Sequence, residues 1–364
     1  MVTETLSTFL AELTQNALPM WVYAALSILL ILFLIALPFA GFATYLERKV
    51  SADLQARIGP NRVGPFGILQ FIADGLKLLM KEDIIPTNAD KKLFILAPVI
   101  VIVGSFAAFV IIPFAEKIII ADLNIGVLYL VAVGSFVALG IIMGGWSSNN
   151  KWSLLGGMRS AAQIISYEIP GALAALNVVL LAGSLSFGTI VKSQGPLNWF
   201  IFHNPFTFIS FFIFFISALA EVNRTPFDIP EAESEIVGGY HTEYSGMRFA
   251  LFFMAEYADI FVICAISTAL FLGGWYLPFI PLDSLSENLR LLIQFGTVIT
   301  KVFLLFYVIM WLRWTLPRYR IDQLIAICWK FLTPLSFAML VGSTVWVLVF
   351  NGKSILQIFE AIIL

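Results

Sequence analysis

Six carboxylates crowd the stretch AEVNRTPFDIPEAESEIVGGYHTEYSG, residues 220–246: Glu221, Asp228, Glu231, Glu233, Glu235 and Glu243. Arg224 is the only base among them, and Glu256 and Asp259 follow inside an apolar run. Those two acids stand at i and i+3, one turn apart on one face of a helix. A carboxylate at membrane depth costs about 2.5–3.5 kcal/mol on insertion scales and by default marks function. Crowded carboxylates in a low dielectric cannot all stay ionised, so some of their pKa values are expected to rise toward neutrality. Groups poised in that way can relay protons.

Local structure explains part of this set. Pro226 and Pro230 frame Phe227, Asp228 and Ile229. Asp228 three residues before Glu231 resembles a capping arrangement, with Pro230 suited to a first helical turn. That accounts for Asp228 and Glu231 and leaves Glu233, Glu235 and Glu243 without a structural reason. Further upstream, Glu168-Ile169-Pro170 lies in another apolar run. Glu168 is expected to sit roughly 12 Å deep at helical rise. Pro170 has no N–H, so the Ser166 carbonyl loses its helical partner and is expected to draw water beside the carboxylate. Lys301 is expected near the midplane of a span, where a lone buried lysine needs a carboxylate partner, with Glu256 and Asp259 the candidates.

The elements that must hold these groups follow from hydropathy. The chain has 364 residues, 60% hydrophobic and 12% charged, with mean hydropathy +0.94. That composition predicts an all-α polytopic integral membrane protein forming one membrane domain over residues 1–364. Eight runs are long enough to span: 20–44, 92–114, 125–146, 160–182, 205–221, 247–272, 290–311 and 331–350. The expected loops on one side are 45–92, 147–160, 222–246 and 312–330, and most of the 21 Lys and Arg fall in or beside them. By the positive-inside rule that side is cytoplasmic, and an even number of spans puts both termini outside. Residues 1–20 hold Glu4 and Glu12 but no Lys or Arg, so the first run is expected to be a retained span and not a signal peptide. No internal repeat is evident.

The first cytoplasmic loop carries a second dense signal, ERKVSADLQARIGPNRVGPFGILQFIADGLKLLMKED. Gly59-Pro60 and Gly64-Pro65 make a compact turn segment. After Pro65, the residues Gln70, Asp74, Lys77 and Lys81 recur at helical spacing as one polar stripe, with Phe71, Ile72, Leu76, Leu78 and Leu79 on the remaining faces. This pattern predicts an amphipathic helix lying at the membrane interface, where a lipid-soluble molecule would leave the bilayer.

Net charge −2 gives no reason to expect a nucleic acid partner. Two cysteines, Cys264 and Cys328, are too few to hold an iron–sulfur cluster with four thiolates. Two histidines, His203 and His241, both fall in expected loops, which leaves no axial ligands for a haem between membrane helices. No metal site is expected, and redox centres would belong to partners.

Several blocks then carry a resemblance: GPNRVGPFG with ADGLKLLMKED, GGWSSNNKWSLLGGMRSAAQIISYEIPG, PFDIPEAESEIVGGYHTEYSG with MAEY, and RWTLPRYRIDQL. Together they resemble, in the same order, the quinone-site membrane subunit of respiratory complex I, the H-type membrane subunit of bacterial NADH-quinone oxidoreductase. They cover roughly a third of the chain. The resemblance implies a subunit sealing the membrane end of a quinone chamber and starting a proton-coupling path. It assigns Glu47, Arg48, Arg57, Arg62, Asp74, Lys77, Phe227 and Asp228 to the quinone side. It assigns Glu168, Glu221, Glu231, Glu233, Glu235, Glu243, Glu256 and Lys301 to proton coupling. Asp259 departs from the family's more usual Asn. The resemblance further implies a bacterial inner (plasma) membrane location and quinone as substrate. FMN and iron–sulfur clusters would lie in partner subunits, with no cofactor held by this chain. The implied partners are peripheral-arm, small membrane and antiporter-like subunits, besides the lipid bilayer. Two alternatives use the same acids: a membrane subunit of an energy-converting hydrogenase, and a proton or cation transporter acting alone.

Overall fold

The computed structural model describes residues 5–13, 18–196, 198–230, 233–278 and 285–358. Among them no strand occurs, and the regular elements are helices. Those of eight residues or more are, in chain order, α1 (Leu6–Leu13), α2 (Met20–Leu54), the amphipathic α3 (Gln70–Met80), α4 (Lys91–Ile111), α5 (Gly126–Ser147), α6 (Lys151–Ala182), α7 (Phe187–Gln194), α8 (Pro205–Glu221), α9 (Gly246–Phe271), α10 (Glu287–Thr315) and α11 (321–350).

Seven of them, α2, α4, α5, α6, α9, α10 and α11, are long and apolar enough to cross a membrane. The eighth expected span, α8, is apolar but has only 17 residues. At helical rise that is about 26 Å, short of the about 30 Å of hydrocarbon. Its ends are fixed locally. Pro205 begins it behind a capping box between Asn204 and Thr207, and Asn223, in the left-handed conformation, turns the chain just beyond its last residue.

The spans overrun their expected ends. α2 continues to Leu54, α6 already starts at Lys151, and α10 reaches Thr315. No Gly or Pro interrupts residues 45–54, so the helical hydrogen-bond ladder runs on past the apolar stretch. Loops 147–160 and 312–330 are therefore largely helix. Only Ser148–Asn150 separates α5 from α6, and the Asn150 side chain caps α6 by accepting from Trp152 N at 2.9 Å.

Two spans contain a π turn that hydropathy does not reveal, Leu32–Ala36 in α2 and Cys328–Leu332 in α11. Each ends two residues before a proline, Pro38 and Pro334. A proline ring clashes with the carbonyl four residues back, here Leu34 and Lys330, and widening the turn relieves that clash.

α9 is the centre of the bundle. It is the most buried of the spans and packs against α2, α3, α4, α8 and α10. The turn before α3 is shaped by Gly67, whose φ is +82° and where a Cβ would stand 2.3 Å from the Pro60 carbonyl oxygen. Tyr45 of α2 donates to the Phe66 carbonyl at 3.0 Å and ties that turn to the bundle. The amphipathic helix forms where the polar stripe predicts it, with Ile72, Leu76, Leu79 and Met80 left exposed.

Candidate functional site

Two polar sites adjoin inside the bundle, and α9 contributes to both. The first is a buried charge cluster. Gln163 on α6 fixes the turn after α8 by donating to Ala220 O at 2.8 Å, Phe227 O at 2.7 Å and Asn223 Oδ1 at 3.1 Å. The Asn223 amide donates in turn to Ser160 Oγ at 3.1 Å. So held, Arg224 points inward and is only 5% exposed. Its Nε lies 2.9 Å from Glu256 Oε1 on α9, and its Nη1 lies 3.6 Å from Glu47 Oε2 on α2. Tyr257 donates to Glu47 Oε2 at 2.7 Å and offers its ring face to Arg224 at 4.4 Å. Arg313 of α10 closes the group as an ion pair with Glu47. Burial works against the Arg224 charge, but Glu256, Tyr257 and Glu47 outweigh it and hold the guanidinium protonated. Two acids and two bases balance, and Arg313 keeps 29% of its side chain exposed, which lowers the cost of holding the other three charges inside.

The second site is a cavity of about 110 Å³ whose lining includes Glu168 of α6, Glu221 of α8 and Asp259 of α9. Among the described residues, the rest of its wall is Gly, Ala, Val, Leu, Ile and Phe, with no basic side chain. Ser105 of α4 donates to Asp259 Oδ2 at 2.8 Å, and Ser135 of α5 donates to Glu168 Oε1 at 3.1 Å. Gly171 leaves room for Glu221, since a Cβ there would stand 3.3 Å from its Oε1. The volume accommodates several waters. Three carboxylates around one apolar space titrate as a set and not singly.

Glu256 and Asp259 thus divide between the sites. Glu256 faces Arg224, and Asp259 faces the cavity. Three residues along a helix advance about 4.5 Å, so the two sites touch through α9. Asp259, the residue where the sequence departs from the expected Asn, is a full member of the acidic cavity.

Two expectations, for Lys301 and for the Ser166 carbonyl, are corrected, and the quinone-side residues separate. Glu47 and Arg48 are neighbours in sequence but turn apart. Glu47 goes inward, whereas Arg48 binds Asp74 at 2.6 Å on α3. Lys77 adds a contact to Asp74 at 3.3 Å and Gln70 another at 3.4 Å. Burial tends to raise the Asp74 pKa, but Arg48 and Lys77 outweigh it and hold the carboxyl below its usual value. Lys301 does not pair with Glu256 or Asp259. Its Nζ donates to the carbonyls of Leu272, Gly274 and Tyr276 at 2.7, 2.8 and 2.8 Å and lies 4.3 Å from the Trp199 ring. It caps the end of α9, where the last carbonyls of a helix lack partners. The Ser166 carbonyl freed by Pro170 is taken by the Cys328 thiol at 3.0 Å.

The remaining acids of the loop also have partners. Asp228 pairs with Arg318 at 2.8 Å and Glu235 with Arg159 at 2.7 Å, and Glu243 accepts from Asn150 Nδ2 at 2.6 Å. Glu231 lies outside the described residues, as does the side chain of Glu233. Phe227 is buried between the rings of Tyr167 and Tyr319, at 5.6 and 6.0 Å. Arg57 and Arg62 are exposed on the turn before α3, Arg57 donating to Gln55 Oε1 at 2.7 Å. Sequence reasoning missed Tyr257 and Arg313 as members of the charge cluster. Arg313 reads as one more cytoplasmic base, and Tyr257 gives no signal beyond its place beside Glu256.

The sequence profile of the NADH dehydrogenase family matches residues 26–344. The chain is 48% identical over 341 residues to the NADH-quinone oxidoreductase H subunit of Anaeromyxobacter dehalogenans, covering 90% of this chain and 83% of that protein. It is 51% identical over 324 residues to the H subunit of Chlorobaculum tepidum, covering 86% and 89%. It is 45% identical over 346 residues to an H subunit of Geobacter sulfurreducens, covering 89% and 95%.

Proposed function

Because the chain belongs to the NADH dehydrogenase family, alongside the H subunits of NADH-quinone oxidoreductase, we propose that it closes the membrane end of a quinone chamber and starts the proton path that quinone reduction drives. The relatives' shared name sets this reading above the hydrogenase and lone-transporter alternatives. The observation that carries it is the contact, through α9, between a buried charge cluster and an acid-lined cavity. Glu47 of the cluster lies on α2 two residues from Tyr45, which bonds the turn before α3 where a quinone headgroup would enter.

In this reading the quinone approaches along α3, with Arg57 and Arg62 at the entrance and Arg48, Asp74 and Lys77 shaping its wall. A change of charge on the bound quinone shifts the balance among Glu47, Arg224, Glu256 and Arg313. Arg224 sits three residues beyond Glu221, and Glu256 three residues before Asp259. The cavity acids therefore feel that shift through two short backbone connections and exchange protons through enclosed water. Asp228, Glu235 and Glu243, each already paired, hold the loop in place instead of relaying protons. Lys301 anchors the far end of α9.

α8 falls short by only about 4 Å, which local thinning of the bilayer accommodates, so with eight crossings the charge bias of the loops supports a cytoplasmic side for the Arg48 and Arg313 ends, with the chain in the inner membrane of a bacterial cell and both termini outside. Quinone is the substrate. FMN and iron–sulfur clusters belong to peripheral partners docked on loops 45–92 and 222–246, and small and antiporter-like membrane subunits flank the spans. Purification through a tag on this chain, in mild detergent, tests the assignment. An NADH-oxidising complex with iron–sulfur absorbance is expected to come with it. Isolation of the chain alone from fully active membranes would contradict the reading.

A further inference from the structure

Two irregular places in the helices meet beside the acidic cavity. In α6, Pro170 removes the N–H that would bond the Ser166 carbonyl. In α11, the π turn Cys328–Leu332 rotates the helix and brings residues 328 and 329 against that point. The Cys328 thiol, 0% exposed, donates to the Ser166 carbonyl at 3.0 Å. Trp329 Nε1 donates to Ser166 Oγ at 3.4 Å. Tyr167 donates through its hydroxyl to the Leu324 carbonyl at 2.9 Å. Residues 166 and 167 are therefore both held to α11. The next residue is Glu168, which turns into the cavity toward Glu221 and Asp259 and takes a hydrogen bond from Ser135.

A helix that lacks one of its bonds can bend there, and the bend sets the direction of the side chains that follow. We propose that Cys328 is a positioning residue. By occupying the Ser166 carbonyl that Pro170 leaves open, its thiol fixes the path of α6 at this weakened turn and so the way Glu168 faces the cavity. Thr333 supports the arrangement by donating to the Cys328 carbonyl at 2.9 Å inside the π turn. A thiol is a weak donor, so the joint holds the carbonyl without locking it. This rests on the proton-coupling reading given above, because it assigns Glu168 a task that depends on its direction.

The test uses the assembled complex in native membranes. Cys328→Ala removes the donor, and Cys328→Ser returns one. Quinone reduction by NADH is expected to fall about three- to tenfold in Cys328→Ala, the scale of one lost hydrogen bond. Its pH profile is expected to shift, while NADH–ferricyanide activity stays as in the parent. Cys328→Ser is expected to restore both rate and profile. Pro170→Ala gives the Ser166 carbonyl its helical partner again, so Cys328→Ala added to Pro170→Ala is expected to cost nothing further. This double variant also decides the matter if Cys328→Ala alone fails to assemble. Three results would each overturn the proposal: a parental rate and profile in Cys328→Ala, equal loss in the Ala and Ser variants, or an undiminished cost of Cys328→Ala in the Pro170→Ala background. Glu168→Gln run in parallel separates the two readings. If that variant is fully active, the proton-coupling assignment of Glu168 fails, whereas its loss with normal Cys328 variants refutes only the positioning role.

Discussion

Replacing Arg224 by Met removes the cation that Glu256 faces at 2.9 Å, while the Glu256 side chain stays only 10% exposed. Breaking one partner of a buried pair costs about 3–5 kcal/mol, because the remaining charge stays desolvated. Glu47 fares better, since it keeps Arg313 and the Tyr257 hydroxyl. Arg224 also stands closer to Glu256, at 2.9 Å, than to Glu47, at 3.6 Å, so the loss is expected to fall more on Glu256. Against a typical total of about 5–15 kcal/mol, Arg224→Met is expected to reduce the assembled complex severely. Arg224→Met with Glu256→Gln is expected to recover most of that stability, because the carboxylate that lost its cation is gone as well. Arg224→Met with Glu47→Gln is expected to recover little. The assay is the amount of intact complex on a native gel, together with the temperature of half-inactivation in membranes. A single variant as stable as the parent, or a Glu256→Gln double variant no better than the single, would refute the idea that this cluster is held by charge balance.

Lys301→Met should lower thermal stability by about 1–3 kcal/mol through three unsatisfied carbonyls at the end of α9. It should leave the ratio of protons pumped to quinone reduced unchanged, and a changed ratio at normal stability would return Lys301 to the proton path. Arg57→Ala is expected to raise the apparent KM for short-chain quinones about tenfold or more with normal assembly, the scale of one charged contact, and unchanged quinone kinetics would remove Arg57 from the entrance. Asp74 has a lowered pKa in the folded chain. Its contribution is thus fully present above the unfolded value of about 3.9 and lost only as pH falls through the lower folded value. Asp74→Asn should accordingly change quinone KM without altering the shape of the activity profile between about pH 5 and 9, and a limb that disappears in this variant would contradict the lowered pKa.

Hydropathy made the spans legible, because burial in lipid demands long apolar runs and little else. It read only their apolar parts. The polar extensions of α2 and α6 were invisible to it, and they carry Glu47 and Arg159. The π turns had a signal, a proline inside a span, but the sequence does not say whether a helix bends, breaks or widens at that residue. The acids themselves were legible as a group, since carboxylates at depth are costly. Their division was not. Glu47 and Arg224 meet across 177 residues of chain, and only packing around α9 decides that Glu256 joins Arg224 while Asp259 joins Glu168 and Glu221. The expectation for Lys301 failed for a specific reason. A buried lysine needs electron-rich partners, and the open carbonyls of a helix end satisfy it as well as a carboxylate does. Glu235 and Glu243 looked unexplained because their partners, Arg159 on α6 and Asn150 at its cap, are distant in sequence.

Whether the acids around the cavity move protons in step with quinone reduction is read most directly from membranes carrying Glu221→Gln. Gln keeps the shape of the side chain and loses only its titration. In one preparation, the rate of quinone reduction by NADH and the rate of proton pumping are measured together, with ferricyanide reduction as the reference that bypasses this chain. The structure predicts that the first two rates fall together while ferricyanide reduction and the amount of assembled complex stay at parental levels. Parental quinone reduction with parental pumping would show that Glu221 only fills space at the edge of the cavity.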